Sequence, residues 1–535
     1  MMDNFISFFS VKRFFKKDLN QILFIILLFP FVKKYFLFIT RKGEEIYHST
    51  SFLIEYFSNL RNILSLIPFF LVFILIINIK WEDFKMNYQI KALWAIFALL
   101  VVYKFGFNNY NFYYNQFFFL ERILILALFI LSLLRPAFII PFTFLFLLTL
   151  SQYHYPLGGY SITDIYPLIN FFPLLISYLI LKRAFFINEL TFWRVFIVFH
   201  ISYYLLPGIA KIEISPNLYE WIFYNDLSNL FNSSIEMGWL TELNKSTTDF
   251  ISKQLNFFKV PLNLLTVVIE ISGLYFLTKA KTFRLYLALT SLFHLLIYLS
   301  SGIFFWKWIV INVAFILLSY SFERKKKFEK IFDLKPLYFV IFALISPLFL
   351  RPLSLAWYDS KLVEKYEIYL SNNYGKDILV TGNFFKPYDK IFSQNRFSYL
   401  LNNKSLVGTY GSLGSDKLFF SDFNPVDFIK ENLNTDKNDF NKYTLIEKNQ
   451  FEYLEGFNNY DPHKKSEFIK FLKNYLTNYN QSPNRYLSLT VPHIHQPNNN
   501  FPRQIKGFKV FYKRIFHGEN GIKQIKTEEL IKESL

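Results

Sequence analysis

Residues 194–221 read RVFIVFHISYYLLPGIAKIEISPNLYEW, and the class of the whole protein follows from them. The stretch is an apolar run of helical length with His200 inside it, a Pro207-Gly208 step expected to break the helix, and Lys211 and Glu213 at its end. His200, Tyr204, Pro207/Gly208 and Lys211 follow at steps of three or four, which stacks them on one helix face. An imidazole, a phenol and an ammonium on one face are costly against lipid. That face is expected to turn toward protein or a water-filled cavity.

The rest of the chain agrees with a membrane reading. Of 535 residues, 53% are hydrophobic and 69 are Phe, and the apolar residues come in repeated long runs. The net charge of +18 reads as Lys/Arg in cytoplasmic loops, with no nucleic-acid partner. The chain has no Cys, so disulfides, thiolate nucleophiles and Cys-ligated metal centres are excluded. Abundant Lys, Asn, Ile and Phe suit an AT-rich bacterial genome, which makes a bacterial inner membrane the expected location. No signal-peptide cleavage site is evident near the first apolar run.

Three regions are expected. Residues 1–20 are basic and Phe-rich, either an interfacial amphipathic helix or a plain leader. Residues 21–351 form a multi-helix transmembrane domain, with candidate spans at 21–39, 62–80, 91–107, 116–134, 137–151, 164–182, 192–212, 260–279, 283–300, 303–322 and 336–351. Lys33-Lys34 interrupts the first, which leaves ten or eleven spans. The 137–151 run is short enough to be tilted or buried in protein. Loops 108–115 and 151–163 carry no Lys or Arg, whereas most other loop charge falls on the alternate side. Only Arg41, Lys42 and Arg61 break the pattern. The loop 213–259 is then external and partly helical, and the soluble C-terminal domain, 352–535, is extracytoplasmic. That domain reads as a small α+β unit, with helix-like 360–372 and 464–478 and strand-like 377–381, 486–491 and 505–512.

The site candidates are the polar residues of the spans. Lys211 either snorkels at a helix end or faces a cavity, and His200 either packs or binds. Glu270, mid-span in VVIEISGLYF, must be neutral, paired or solvated. His294 shares an i, i+4, i+8 stripe with Thr290 and Tyr298. His154 follows an outward-running segment in a Gly/Pro loop. With this topology Lys211, His294, His154 and Glu270 can converge at or below the outer leaflet. A His493-x-His495 pair, with Asp461 or His463 as third ligand, is the weaker metal candidate, and surface histidines are the plainer reading. No nucleophile elbow, Walker A or H-E-x-x-H motif is present.

Three stretches carry a family resemblance: YYLLPGIAKI (203–212), VVIEISGLYFLTKAKTFR (267–284) and SLFHLLIYLSSGIFFW (291–306). Their order and spacing resemble the vitamin-K-dependent gamma-carboxylase-like family, also called the horizontally transferred transmembrane (HTTM) domain family, over roughly residues 60–322. The resemblance implies a carboxylase, a lyase, in which the lysine matching Lys211 deprotonates a reduced quinone. Oxygen then generates a strong base that takes a proton from a glutamate, and CO2 adds. It also matches Glu270, His294 and, loosely, His154 to family positions that support Lys211; His200 and Tyr204, on the helix face of Lys211, are expected beside the ligand. The departures are Ile212 for a leucine, Pro207 before the glycine, an aromatic delayed to Trp221 beyond an insertion with Pro216, and a short C-terminal region. The last puts protein-glutamate carboxylation in doubt. The expected ligand is therefore lipophilic, quinol-like or a membrane lipid, in an outer-leaflet cavity. The alternatives are a non-enzymatic transporter and a scaffold whose external domain binds a partner.

Overall fold

The computed structural model describes residues 18–535 except 85–86, 108–112, 156, 158–165, 186, 214–218, 241–242, 278, 324–328, 333–340, 342–345, 347–357, 360, 386–387, 396, 403–411, 414–459, 482–503 and 519–520. The basic leader, the span at 336–351, the strand at 486–491 and the His493/His495 pair fall wholly or almost wholly outside the described residues.

Apolar runs become helices because a buried backbone must satisfy its own N–H and C=O groups. The main ones are α1 (Asp18–Thr40), α2 (Ile67–Ile76), α3 (Asn87–Val102), α4 (Phe119–Leu134), α5 (Ile139–Ser151), α6 (Tyr166–Phe185) and α7 (Glu189–Glu213). After them come α8 (Glu220–Tyr224), α9 (Leu227–Glu236), α10 (Lys245–Phe257), α11 (Lys259–Phe276), α12 (Ala280–Ser301) and α13 (Trp306–Glu323). Among the described residues, seven helices are long and apolar enough to cross a membrane, at the positions of seven of the eleven expected spans. The 62–80 run is split between a short helix, Leu60–Ser65, and α2, while α4 has 16 residues. The short 137–151 run is the most enclosed of the seven, 89% buried, with 3₁₀ turns at Pro136–Phe138 and Gln152–His154 extending it.

Two expected breaks do not occur. α1 runs through Lys33-Lys34, and Lys33 lies over the Phe29 ring. α7 runs through Pro207. A proline removes one hydrogen bond from a helix; here the helix is held on most sides by neighbours, and eighteen of its residues are buried.

The bundle has two distinct ends. At one, Gln21 at the start of α1 accepts from Asn188 N and Thr191 Oγ1, both at 2.9 Å. There too, Lys182 pairs with Glu189 at 3.1 Å and Arg194 donates to the carbonyls of Lys330 and Ile331. At the other end Ser151 of α5 donates to the Thr40 carbonyl that closes α1, at 2.9 Å. α1 therefore traverses the bundle in the same direction as α7.

The C-terminal unit docks on this second end. Tyr113 stacks on Phe471 at 5.1 Å, Tyr153 meets Tyr388 at 5.9 Å, Trp239 Nε1 donates to Ser393 O at 2.9 Å, and Asn229 donates to Asp359 O at 3.0 Å. These loops follow α3, α5 and α7 and belong to the set predicted to share one side. The loop 213–259 contains α8, α9 and α10. Gly302 caps α12 at φ +70°, and a Cβ there would meet Trp239 O at 2.3 Å, so the turn admits only glycine.

The C-terminal unit has β1 (Tyr358–Asp359) paired with β4 (Ser412–Leu413), and a four-stranded antiparallel sheet. The sheet order is β3 (Asp377–Val380), β2 (Leu362–Asn372), β5 (Ile505–Gly518), β6 (Gly521–Ser534). α14 (Pro462–Gln481) buries Phe468, Phe471, Leu472, Tyr475, Leu476 and Tyr479, a helical stripe. Phe397 meets Phe468 at 5.0 Å and Phe384 meets Tyr479 at 5.0 Å.

The helix expected at 360–372 is a correction: the segment is strand β2. Leu362, Tyr366 and Leu370 are four apart, a spacing that a helix face and a strand face both satisfy. Pairing with β5 from Leu362↔Phe516 to Asn372↔Ile505 settles it, and Ile368 and Leu370 fall inward with Tyr366.

Candidate functional site

α7 and α11 cross where their sequences are small. A Cβ on Gly208 would lie 2.9 Å from Glu270 Cβ and from Ile271 Cγ1; one on Gly273 would lie 2.8 Å from Ile201 Cγ2 and 2.9 Å from Tyr286 Oη. Glycine at both positions lets the two backbones approach. That approach puts Lys211, one turn beyond Gly208, over Glu270. Lys211 Nζ donates to Glu270 Oε1 at 2.9 Å and Oε2 at 2.8 Å, and both side chains are under a tenth exposed. The ammonium also lies 5.5 Å from the Trp221 ring at the start of the cap, a cation–π contact.

Deeper along α7 a second polar cluster joins three helices. His200 Nε2 meets Asn312 Oδ1 of α13 at 2.7 Å. Asn312 Nδ2 donates to Tyr204 Oη at 3.0 Å and to Thr290 Oγ1 of α12 at 3.1 Å. Tyr204 Oη and His294 Nε2 are 3.2 Å apart. Because the Asn312 amide donates to both hydroxyls, its carbonyl oxygen must accept from His200, which fixes the Nε2–H tautomer for neutral His200. With Tyr204 Oη donating its hydrogen bond to His294 Nε2, that neutral imidazole carries its proton on Nδ1.

Aromatic rings wall this cluster. Trp308 stands 5.7 Å from Tyr204 and 5.9 Å from His200, Phe305 5.0 Å from His294, and Tyr286 edge-on to Tyr204 at 5.9 Å. Two buried polar atoms in the wall have no hydrogen-bond partner among the described residues: His294 Nδ1 and Tyr286 Oη. An orphaned buried donor or acceptor is destabilising by about 1–3 kcal/mol. Two such atoms on one helix, in a network otherwise paired, mark spare hydrogen-bonding capacity.

The structure thus gathers Lys211, Glu270, His200, Tyr204 and His294 from α7, α11 and α12. Lys211 and Glu270 touch; His200, Tyr204 and His294 are linked through Asn312; Tyr286 lies between the groups, against Gly273. His154 stands apart. It is exposed at the end of the Gln152–His154 turn and makes no hydrogen bond or ion pair with the others among the described residues. Asp461 accepts from the backbone N–H of His463 and Lys464 at 3.0 and 3.1 Å, so it caps α14. His463 is exposed beside Glu467.

Sequence reasoning passed over Asn312 and Tyr286. Asn312 had a signal, as the one amide in the apolar run WKWIVINVAFILL. Tyr286 had none, because tyrosines occur throughout this chain.

No protein-family model, curated protein or solved structure matches the chain. The site therefore stands on its own geometry.

Proposed function

We propose that this chain is an integral membrane protein of the HTTM, gamma-carboxylase-like type that receives a lipophilic ligand in the chamber between α7, α11, α12 and α13. The observation that carries the reading is the buried Lys211–Glu270 pair set beside His294 Nδ1 and Tyr286 Oη, two polar atoms with no partner among the described residues. A ligand with one ionisable hydroxyl and a flat apolar body suits those aromatic walls. Lys211 acts as the base. Ligand entry completes the exclusion of water, and Glu270 then takes the ammonium proton and leaves a neutral amine beside a neutral acid. The amine then accepts the ligand's hydroxyl proton, and the regenerated ammonium holds the oxyanion. Tyr204 and His294 orient the ligand's far side. A reduced quinone is the ligand that the resemblance implies, and on oxidation it would supply the strong base that carboxylation needs. In this reading the membrane is a bacterial inner membrane and the C-terminal unit is extracytoplasmic.

A second reading makes the pair a clasp between α7 and α11 in a non-enzymatic scaffold. It is favoured by the lack of any further hydrogen-bond partner for Lys211 among the described residues. One experiment separates the two. The full-length protein and the charge-free variant Lys211→Met/Glu270→Leu are purified in mild detergent, and bound small molecules are identified by mass spectrometry. The ligand reading expects a stoichiometric quinone or lipid with the native protein and its loss from an equally folded variant. The same molecules at the same occupancy in both would overturn it.

A further inference from the structure

α10 belongs to neither the chamber nor the core. None of its residues is fully buried. One face leans on α9, with Thr247, Thr248, Ile251, Ser252 and Leu255 half-buried and Asn232 Nδ2 donating to Ser252 Oγ at 3.2 Å. The opposite face presents Phe250 and Phe257, 63% and 77% exposed and two turns apart, with Lys253 between them.

The placement of this face matters. No loop separates α10 from α11, since Phe258 ends one helix and begins the other. The C-terminal end of α10 therefore sits at the depth where α11 enters the bundle. From Phe258 the exposed apolar surface continues down α11 through Leu264, Leu265 and Val268, each about half exposed. Residues 245–259 carry three lysines against one aspartate. Aromatic rings on one side, lysines near them and continuity with an apolar span are the features of a helix seated at a bilayer surface.

We propose that α10 lies in the boundary between headgroups and acyl chains, on the side of the C-terminal unit, with Phe250 and Phe257 inserted and the lysines drawn to anionic headgroups. The inference rests on the reading of the bundle as membrane-spanning. It gives the cap, whose Trp221 faces Lys211, a footing in the bilayer.

The chain has no cysteine, so single substitutions label cleanly. Phe250→Cys, Phe257→Cys and Lys253→Cys probe the face, the last without losing a ring. Leu292→Cys, 54% exposed near the middle of α12, marks the bilayer interior, and Tyr374→Cys, 93% exposed in the β2–β3 turn, marks water. Each full-length variant is labelled with an environment-sensitive fluorophore in phosphatidylcholine–phosphatidylglycerol vesicles. Quenching by shallow and deep spin-labelled lipids is compared with quenching by iodide. The expected result is that probes at 250, 253 and 257 are quenched several-fold more by the shallow lipid than by iodide. Position 292 should respond to the deep lipid and 374 to iodide. If 250, 253 and 257 behave like 374 while 292 responds to lipid, α10 is aqueous and the proposal is overturned. If 292 also responds only to iodide, the membrane reading fails and the proposal with it.

Discussion

Lys211–Glu270 in the helical bundle and Arg514–Glu364 in the C-terminal sheet are both buried acid–base pairs, but their surroundings differ. Glu364 and Arg514 are direct cross-strand partners in β2 and β5. Glu364 Oε1 accepts from Arg514 Nη2 at 2.7 Å, from Arg514 Nε at 2.8 Å and from Tyr512 Oη at 2.7 Å, and Tyr512 also accepts from Arg514 Nε at 3.0 Å. Backbone register and a rigid guanidinium hold that pair in one geometry. In the bundle the cation is a lysine on a flexible stem, its hydrogen bonds all go to one carboxylate, and orphaned polar atoms lie nearby. The sheet pair is a closed ring that fastens two strands. The bundle pair is held by helix approach at Gly208 and can be rearranged without breaking a backbone ladder.

The largest effect should come from breaking either pair on one side. Lys211→Ala and Glu364→Ala should each lower stability by about 3–5 kcal/mol, because each leaves a buried charge uncompensated. Thermal unfolding in detergent measures this. The double variants sharpen the contrast. Lys211→Met/Glu270→Leu should recover most of the loss, since nothing else hydrogen-bonds those two side chains among the described residues. Glu364→Leu/Arg514→Met should recover less, because it removes the acceptor and the donor that Tyr512 Oη uses. Equal recovery in the two regions would erase the distinction. Glu270→Gln should also hold more folded protein than Glu270→Ala, as it keeps an acceptor for Lys211.

A smaller effect is expected at the helix crossing. Gly208→Ala pushes a methyl group against Glu270 Cβ and Ile271 Cγ1 and should be destabilising by about 1–3 kcal/mol. Gly375→Ala in the β2–β3 turn meets no atom within 4 Å, so only its φ of +72° opposes it, and about 1 kcal/mol is expected. A melting-temperature series in which Gly375→Ala is the worse of the two would mean that the α7–α11 contact is loose. Asn312→Leu removes the hub between His200, Tyr204 and Thr290 and should be destabilising by about 1–3 kcal/mol.

The smallest effect is a pH dependence of the C-terminal sheet. Burial raises the Glu367 carboxyl, but Lys365 at 2.9 Å and Lys513 at 2.6 Å outweigh it and hold the group below the usual glutamate range. A depressed carboxylate adds stability above its unfolded-chain value of about 4.3, and that stability is lost as pH falls through the folded value. Acid unfolding of Glu367→Gln should therefore start from a lower stability at neutral pH and show a shallower fall below about pH 4.5. Identical profiles would show that the lysines do not hold the carboxylate.

The parts of this molecule legible in the sequence were those governed by local pattern. Apolar length marked the helices α1 to α7 and α11 to α13, and three- and four-residue steps put His200, Tyr204 and Lys211 on one face. Glu270 drew notice because an acid in an apolar run needs a partner. The failures share a cause. Segment 360–372 suited two periodicities, and its neighbour β5, over 130 residues away, chose between them. Pro207 and Lys33-Lys34 looked like breaks, yet packing around α7 and helical length in α1 carried the helices through. His154 was grouped with the site by topology and a loose resemblance, and topology gives the end of the bundle without giving the direction of a side chain.

By itself the sequence determined that this is a helical, cysteine-free chain with apolar segments of bilayer length and a C-terminal region of different character. Those properties depend on neighbours within a few turns. Only the tertiary structure decided that Lys211 meets Glu270, that Asn312 joins His200 to Tyr204, and that Tyr286 Oη finds no partner among the described residues. Each of these depends on how closely two helices distant in sequence approach. That approach is set by glycines and ring volumes on both partners at once, which no local pattern encodes.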